Sequence, residues 1–363
     1  MASGWARFAG VQANDVCDYA DLRHEPQALA RGGWWAVVAE FDGPWHAWRF
    51  ARVQRHTPSR SSTPSARSRP ETGQWRGPDS TAWRSTLSRG EYHRAIREVH
   101  RAIREGQIYQ ANICRVLSAP LPEPPPAGAL ARILAAGNPA PYAAALEIPE
   151  GIRMASGSPA PGAWVVSASP ELGLSVGTGQ VRTGPIKGTA ATAAGLTEKD
   201  RAENVMILDL VRNDLQRVCR PGTVVVEDLL AVEEHPGLVH LVSRARGRLQ
   251  AAALGDRDGR GWSDLLAAMH PPGSVSGTPK LAALEVIAAL ERGPRGPYCG
   301  QIGWIDADAE QASLAVGIRT FWWSGGQLHF GTGAGITIDS DPAAEWAETE
   351  LKADRLVALA SRR

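Results

Sequence analysis

Four cysteines in 363 residues (Cys17, Cys114, Cys219, Cys299) lie so far apart that no C-x-x-C pair exists. That excludes a zinc ribbon and a disulfide framework, and it suits free thiols in a reducing cytoplasm, where we expect the chain to reside. Net charge is also nearly absent: 39 basic against 38 acidic residues leave +1. Without a basic field to gather nucleic acid, a small-molecule ligand is the better expectation. No run of ~18 apolar residues exists to cross a bilayer, and no early stretch joins a basic start to an apolar core and a small-residue cleavage site. Neither a membrane span nor a secretory leader is expected. A nucleotide loop is missing too, because Ser274-Val275-Ser276-Gly277-Thr278-Pro279-Lys280 lacks the GxxxxGK[ST] spacing. Repeats and regular strand–helix alternation are both absent, so an α+β fold with mostly antiparallel strands is favoured over a doubly wound one.

What is there divides into three parts. Residues 1–54 are β-rich, with Val37–Phe41 and His46–Phe50 placed to form a hairpin about Asp42-Gly43. Residues 55–80 turn to Ser, Pro and Arg and read as a loop. The remainder, 81–363, is the candidate catalytic domain. Ser88-Arg89-Gly90-Glu91 is a capping box for a helix with Tyr92, Ile96, Val99 and Ile103 at helical spacing. A strand over 107–117 then places Gln110 and Asn112 on one face, either lining a wet pocket or lying on a solvated edge. Further helices are expected at about 129–136, 198–218, 235–250, 279–292 and 342–359. Strands are expected near 142–146, 164–167, 172–176, 223–228, 298–305, 312–321 and 327–331.

Chemistry-bearing residues gather between Glu171 and Asp214. Lys187 is framed by Pro185-Ile186 and Gly188-Thr189; held in a pocket it would be a nucleophile, on the surface an ordinary lysine. Asp200 and Glu203 share a helix face, as do Glu345, Glu348 and Lys352. Two such helices could meet around Mg²⁺, or the acids could simply pair with Lys199, Arg201 and Lys352. The glycines of Phe330-Gly331-Thr332-Gly333-Ala334-Gly335 offer backbone N–H groups to an anion, or form only a turn. Arg319, inside an apolar stretch, needs a carboxylate of the protein or of a substrate. His240, in an apolar run, is a core histidine or a proton-handling group.

The ordered set Ile108-Tyr109-Gln110, Ser169-Pro170-Glu171, Pro185-Ile186-Lys187-Gly188-Thr189, 200–204, Gly277-Thr278-Pro279-Lys280, Gly317-Ile318-Arg319-Thr320 and Gly333-Ala334-Gly335 resembles the chorismate-binding enzymes, from about Ser88 onward. The resemblance implies a large αββα sandwich of two mostly antiparallel sheets flanked by helices, with chorismate and Mg²⁺ as ligands. It implies Glu203 and Glu348 as direct Mg²⁺ ligands, with Asp200 and Glu345 acting through water. Gly333 and Gly335 would hold the ring carboxylate, and Arg319 and Tyr298 the pyruvyl carboxylate. Gln110, Thr278 and Lys352 would complete the substrate site, and Glu171 would be the general acid.

Two positions separate the members of the family. Water-adding members carry lysine where this chain has Gln110, which disfavours isochorismate and salicylate synthesis. Anthranilate synthases carry alanine where this chain has Lys187, and the lysine is similar to that of the aminodeoxychorismate synthases. The implied reaction joins Lys187 covalently to chorismate and then uses ammonia from a separate glutamine amidotransferase subunit to give 4-amino-4-deoxychorismate, a p-aminobenzoate and folate precursor. His240 matches a histidine tied in anthranilate synthase to pyruvate loss, so anthranilate synthase component I is the enzyme alternative, and a non-catalytic chorismate-binding subunit the other. Ala190-Ala191-Thr192-Ala193-Ala194 departs from the family, which often has arginine after the Lys-Gly-Thr run.

Overall fold

The computed structural model describes residues 4–56, 73–154, 159–235, 238–250, 254 and 260–362. Most of the expected loop, 57–72, lies outside them. Antiparallel pairing runs without a break from one edge of the molecule to the other. Strand Gln110–Pro120 pairs with Gln327–Ile336, then follow Thr320–Ser324, Ala163–Ser169, Tyr142–Ile148 and Trp5–Phe8. Val11–Asp21 carries the ladder across to Trp45–Arg55, Trp34–Ala39, Gln301–Asp306, Gln311–Val316, Leu172–Gly177, Gln180–Gly184 and the hairpin Val225–His235/Leu238–Arg248.

The ladder folds over into two sheets whose inner faces meet through Ala6, Trp34, Trp48, Leu146, Val165 and Ile302. Helices cover both outer faces. α1 (Arg89–Arg104), α2 (Ala127–Gly137), α5 (Lys280–Leu290) and α6 (Pro342–Ala360) pack on the first sheet. α3 (Glu198–Gln216) and α4 (Arg260–Met269) pack on the second, burying Leu208, Leu215, Trp262 and Leu265 against Trp35, Leu174, Val181 and Leu314. This is the αββα sandwich of antiparallel strands flanked by helices that the sequence led us to expect. The N-terminal strands are stitched into it, Trp34–Ala39 bonding along Gln301–Asp306. No helix among the described residues is long and apolar enough to cross a membrane.

Local signals explain the helix starts. Ser88 and Glu91 form the reciprocal capping box at α1, and Thr197 and Asp200 form another at α3. Asp341 caps α6 by accepting from the N–H groups of Ala343 and Ala344, with Pro342 in the first turn.

Four expectations need correction. The helix expected at 235–250 is the second strand of a hairpin, because from Ser243 to Arg248 burial alternates residue by residue, with Arg244, Arg246 and Arg248 turned outward. The strand expected at 312–321 is two strands, broken where Arg319 adopts a left-handed backbone (φ +52). Gly331–Gly335 is no turn but part of strand Gln327–Ile336, in register with 112–116. Helix α4 was not foreseen.

Candidate active site

Glu171 is built into the sandwich by its own backbone. Its carbonyl accepts from Val316 N–H at 3.0 Å, and its N–H donates to Ser169 Oγ, which donates in turn to the Val316 carbonyl at 2.7 Å. The side chain is 3% exposed. It borders a small pocket lined by Leu172, Pro185, Val211 and Met269. Burial pushes its pKa from the ordinary 4.5 up to about 7, against the pull of bonds from Ser274 and the Ile186 backbone and of the Lys187 and Arg319 charges. A carboxyl poised there can hold a proton and give it up at neutral pH.

Lys187 sits on strand Ile186–Ala190 between that acid and an acidic cluster. Its charge acts on Glu171, Glu203 and Glu348 alike. On the neighbouring sheet, a side chain at Gly335 would meet Gln110 Nε2 and come within 3.3 Å of Lys187 Nζ, so the glycine keeps that space clear. Gln110 is 1% exposed, which decides against a solvated edge, and its Oε1 is buried with no hydrogen-bond partner. Thr278, in register with Gln110, likewise has an unpartnered buried Oγ1. Buried polar atoms without partners are costly and suit a place that a polar ligand completes.

The acids come from two helices. Glu203 on α3 is pushed upward first by burial and then by repulsion from Glu345 and Glu348 on α6. Lys199 Nζ lies 3.1 Å from Glu345 and 3.7 Å from Glu203, and Lys352 pairs with Glu348 while donating to the Gly333 carbonyl at 3.0 Å. Lys352 and Lys199 hold Glu348 below its usual range in spite of its burial. Three carboxylates from two helices are the hard oxygen donors Mg²⁺ prefers, and the lysine charges already there show that positive charge is accommodated. Among the described residues no three acids converge closely enough to share one ion, and Lys199 bridges Glu203 and Glu345.

Asp200 Oδ2 is committed to the Thr197 cap, and the carboxylate packs on Gly188. Tyr298 is buried with Cys114, Cys299, Val275 and Val316, its ring laid against Gly331. His240, 2% exposed, shares a 2.8 Å bond with Thr189 across the strand pair. Arg319 is held close enough to Glu171 for each to feel the other's charge. Lys280 is spent on Asp214 at 2.7 Å. Sequence reasoning gave no individual role to Ser274, Asn204 or Ser243, small polar residues recognisable only by what they touch.

A family model described as chorismate binding enzyme matches residues 46–358. Among curated proteins the chain is 38% identical to anthranilate synthase component 1 of Streptomyces coelicolor, over 77% of this chain and 53% of that one. It is 35% identical to aminodeoxychorismate synthase component 1 of Klebsiella aerogenes, over 76% of this chain and 59% of that one. The chain thus spans a little over half the length of the curated relatives it matches. Its fold is shared with anthranilate synthase component I of Streptococcus pneumoniae (TM-score 0.71, 23% identity, 98% of this chain and 89% of that one). It is shared also with the menaquinone-specific isochorismate synthase of Escherichia coli (TM-score 0.73, 18% identity, 99% and 88%). With the family model matching most of the chain, the chain belongs to the chorismate-binding enzyme family, of the anthranilate and aminodeoxychorismate synthase type.

Proposed function

We propose that the chain is an aminodeoxychorismate synthase component I, which turns chorismate and ammonia into 4-amino-4-deoxychorismate. The observation that carries this reading is the placement of Lys187: its amine lies beside Gly335 and Gln110, and its charge reaches the buried acid Glu171. In the reaction the Lys187 ammonium first releases a proton to solvent, and the free amine forms a bond to ring carbon C2. The two ring double bonds shift, the C4–O bond breaks, and Glu171 gives its proton to the departing hydroxyl, which leaves as water. Ammonia then bonds to C4, the double bonds shift back, and the C2–N bond breaks to release Lys187.

Gln110 and Thr278 supply the unpartnered polar atoms that would orient the ring, Arg319 a cation for a substrate carboxylate, and Gly333 and Gly335 a strand that lets the ring carboxylate approach. We assign Glu203, Glu345 and Glu348 to Mg²⁺, with Asp200 behind them; the ion would neutralise the ring carboxylate. Ammonia would come from a glutamine amidotransferase partner, as the component 1 naming of the relatives suggests. Tyr298 and His240 we keep as supporting residues, one packing under Gly331, the other bonded to Thr189. Anthranilate synthesis is the second reading, favoured by the 38% identity to the Streptomyces protein.

The test is mass spectrometry of products from chorismate, Mg²⁺ and an ammonium salt, with Lys187→Ala alongside. Aminodeoxychorismate from the wild type, lost in the variant, is the expected result. Anthranilate and pyruvate, or undiminished turnover by the variant, would overturn the reading.

A further inference from the structure

Asn204 follows Glu203 on α3 but faces the sheet, 1% exposed. It meets the strand Ile186–Ala190 where that strand is irregular. Ile186 lies opposite Val242 and Thr189 opposite His240, so Lys187 and Gly188 together face the single residue Leu241. Such a bulge disturbs the ladder and leaves carbonyls in need of other donors. Asn204 Nδ2 supplies them, donating to the Leu241 carbonyl at 2.9 Å and to the Lys187 carbonyl at 3.4 Å. The carboxamide cannot flip without loss, because its oxygen accepts from Ser243 Oγ, and that hydroxyl accepts from Leu230 N–H at 3.0 Å. Gly188 completes the fit: at φ +92, a side chain on it would come within 2.8 Å of Asp200 Cβ, so α3 presses directly on the bulge.

We propose that Asn204 is a positioning residue for Lys187. Its carboxamide bridges both strands of the bulge and aims the Lys187 side chain into the pocket, tying that aim to the helix turn that carries Glu203. Ser243 sets the orientation of the carboxamide. The inference rests on Lys187 as the reacting amine, and it adds a reason why the bulge holds its shape.

The test is trace acetylation of the folded full chain, reading Lys187 against Lys280 and Lys199 by peptide mass spectrometry, with chorismate-adduct formation by intact mass in parallel. Asn204→Ala should change Lys187 labelling relative to Lys280 by about tenfold, the scale of one or two lost buried hydrogen bonds. Adduct formation should slow while the KM for chorismate moves little. Ser243→Ala keeps both carbonyl bonds but frees the carboxamide to turn, and should shift Lys187 the same way by a smaller factor. It carries the test alone if Asn204→Ala fails to fold. Unchanged Lys187 labelling in folded variants overturns the inference, whatever the adduct does. A wild type that forms no adduct, with labelling still shifted in the variants, sinks the nucleophile reading and leaves the positioning link standing.

Discussion

Replacing Glu171 by glutamine keeps the side chain's shape and removes its proton. In the folded protein the carboxyl stays protonated to about pH 7, whereas the ordinary value is 4.5. Between those values the native state holds a proton that the unfolded chain has released, so stability falls as pH rises through the window. At about 1.4 kcal/mol per tenfold, the full cost above pH 7 is roughly 3 kcal/mol. Glutamine does not ionise. Urea unfolding at pH 5 and pH 8 should therefore show Glu171→Gln gaining roughly 3 kcal/mol on the wild type as pH rises. Glu40, also pushed up to about 7, and His270, pushed down to about 4, titrate in both proteins and cancel in the difference. Activity should move the other way. Loss of a general acid slows adduct formation by ~10²–10⁴-fold, and the wild-type rate should fall above pH 7 as the acid ionises. Measuring the adduct without ammonia keeps the titration of ammonium out of the profile. Stability curves that stay parallel, or a variant forming adduct at the wild-type rate, would refute the reasoning.

Three further outcomes are expected. Gly335→Ala puts a methyl group against Gln110 Nε2 and near Lys187 Nζ; chorismate KM should rise at least about tenfold with little change in melting temperature, since only side-chain ends must yield. Asp214→Asn leaves Lys280 buried without its anion and should cost about 3–5 kcal/mol in urea unfolding. Glu203→Gln should weaken Mg²⁺ binding by calorimetry about tenfold or more, whereas Lys199→Met, which removes the ammonium between Glu203 and Glu345, should strengthen it; equal affinities would move the metal elsewhere.

Much of the architecture was legible because its signals are local. The Ser88/Glu91 capping box, the tryptophan hairpin and the carboxylates three apart on α3 and α6 follow from neighbours along the chain, and the structure shows the elements where those signals put them. The 235–250 stretch misled because His240 to Ser243 is buried on both faces, which erases the period that tells strand from helix. Arg319 misled because a left-handed break inside an apolar stretch has no composition signal.

By itself the sequence determined the family, the fold class and which acids, lysine and arginine are available, since motif order and periodicity are properties of the chain alone. Only the tertiary structure decided how they meet. It buried Glu171 deeply enough to keep its proton, set Lys187 on a bulge held by Asn204, left Gln110 and Thr278 with unpaired polar atoms, and gave Tyr298 to the core. Each of those outcomes depends on desolvation and hydrogen bonding between residues far apart in sequence, and no local pattern encodes them.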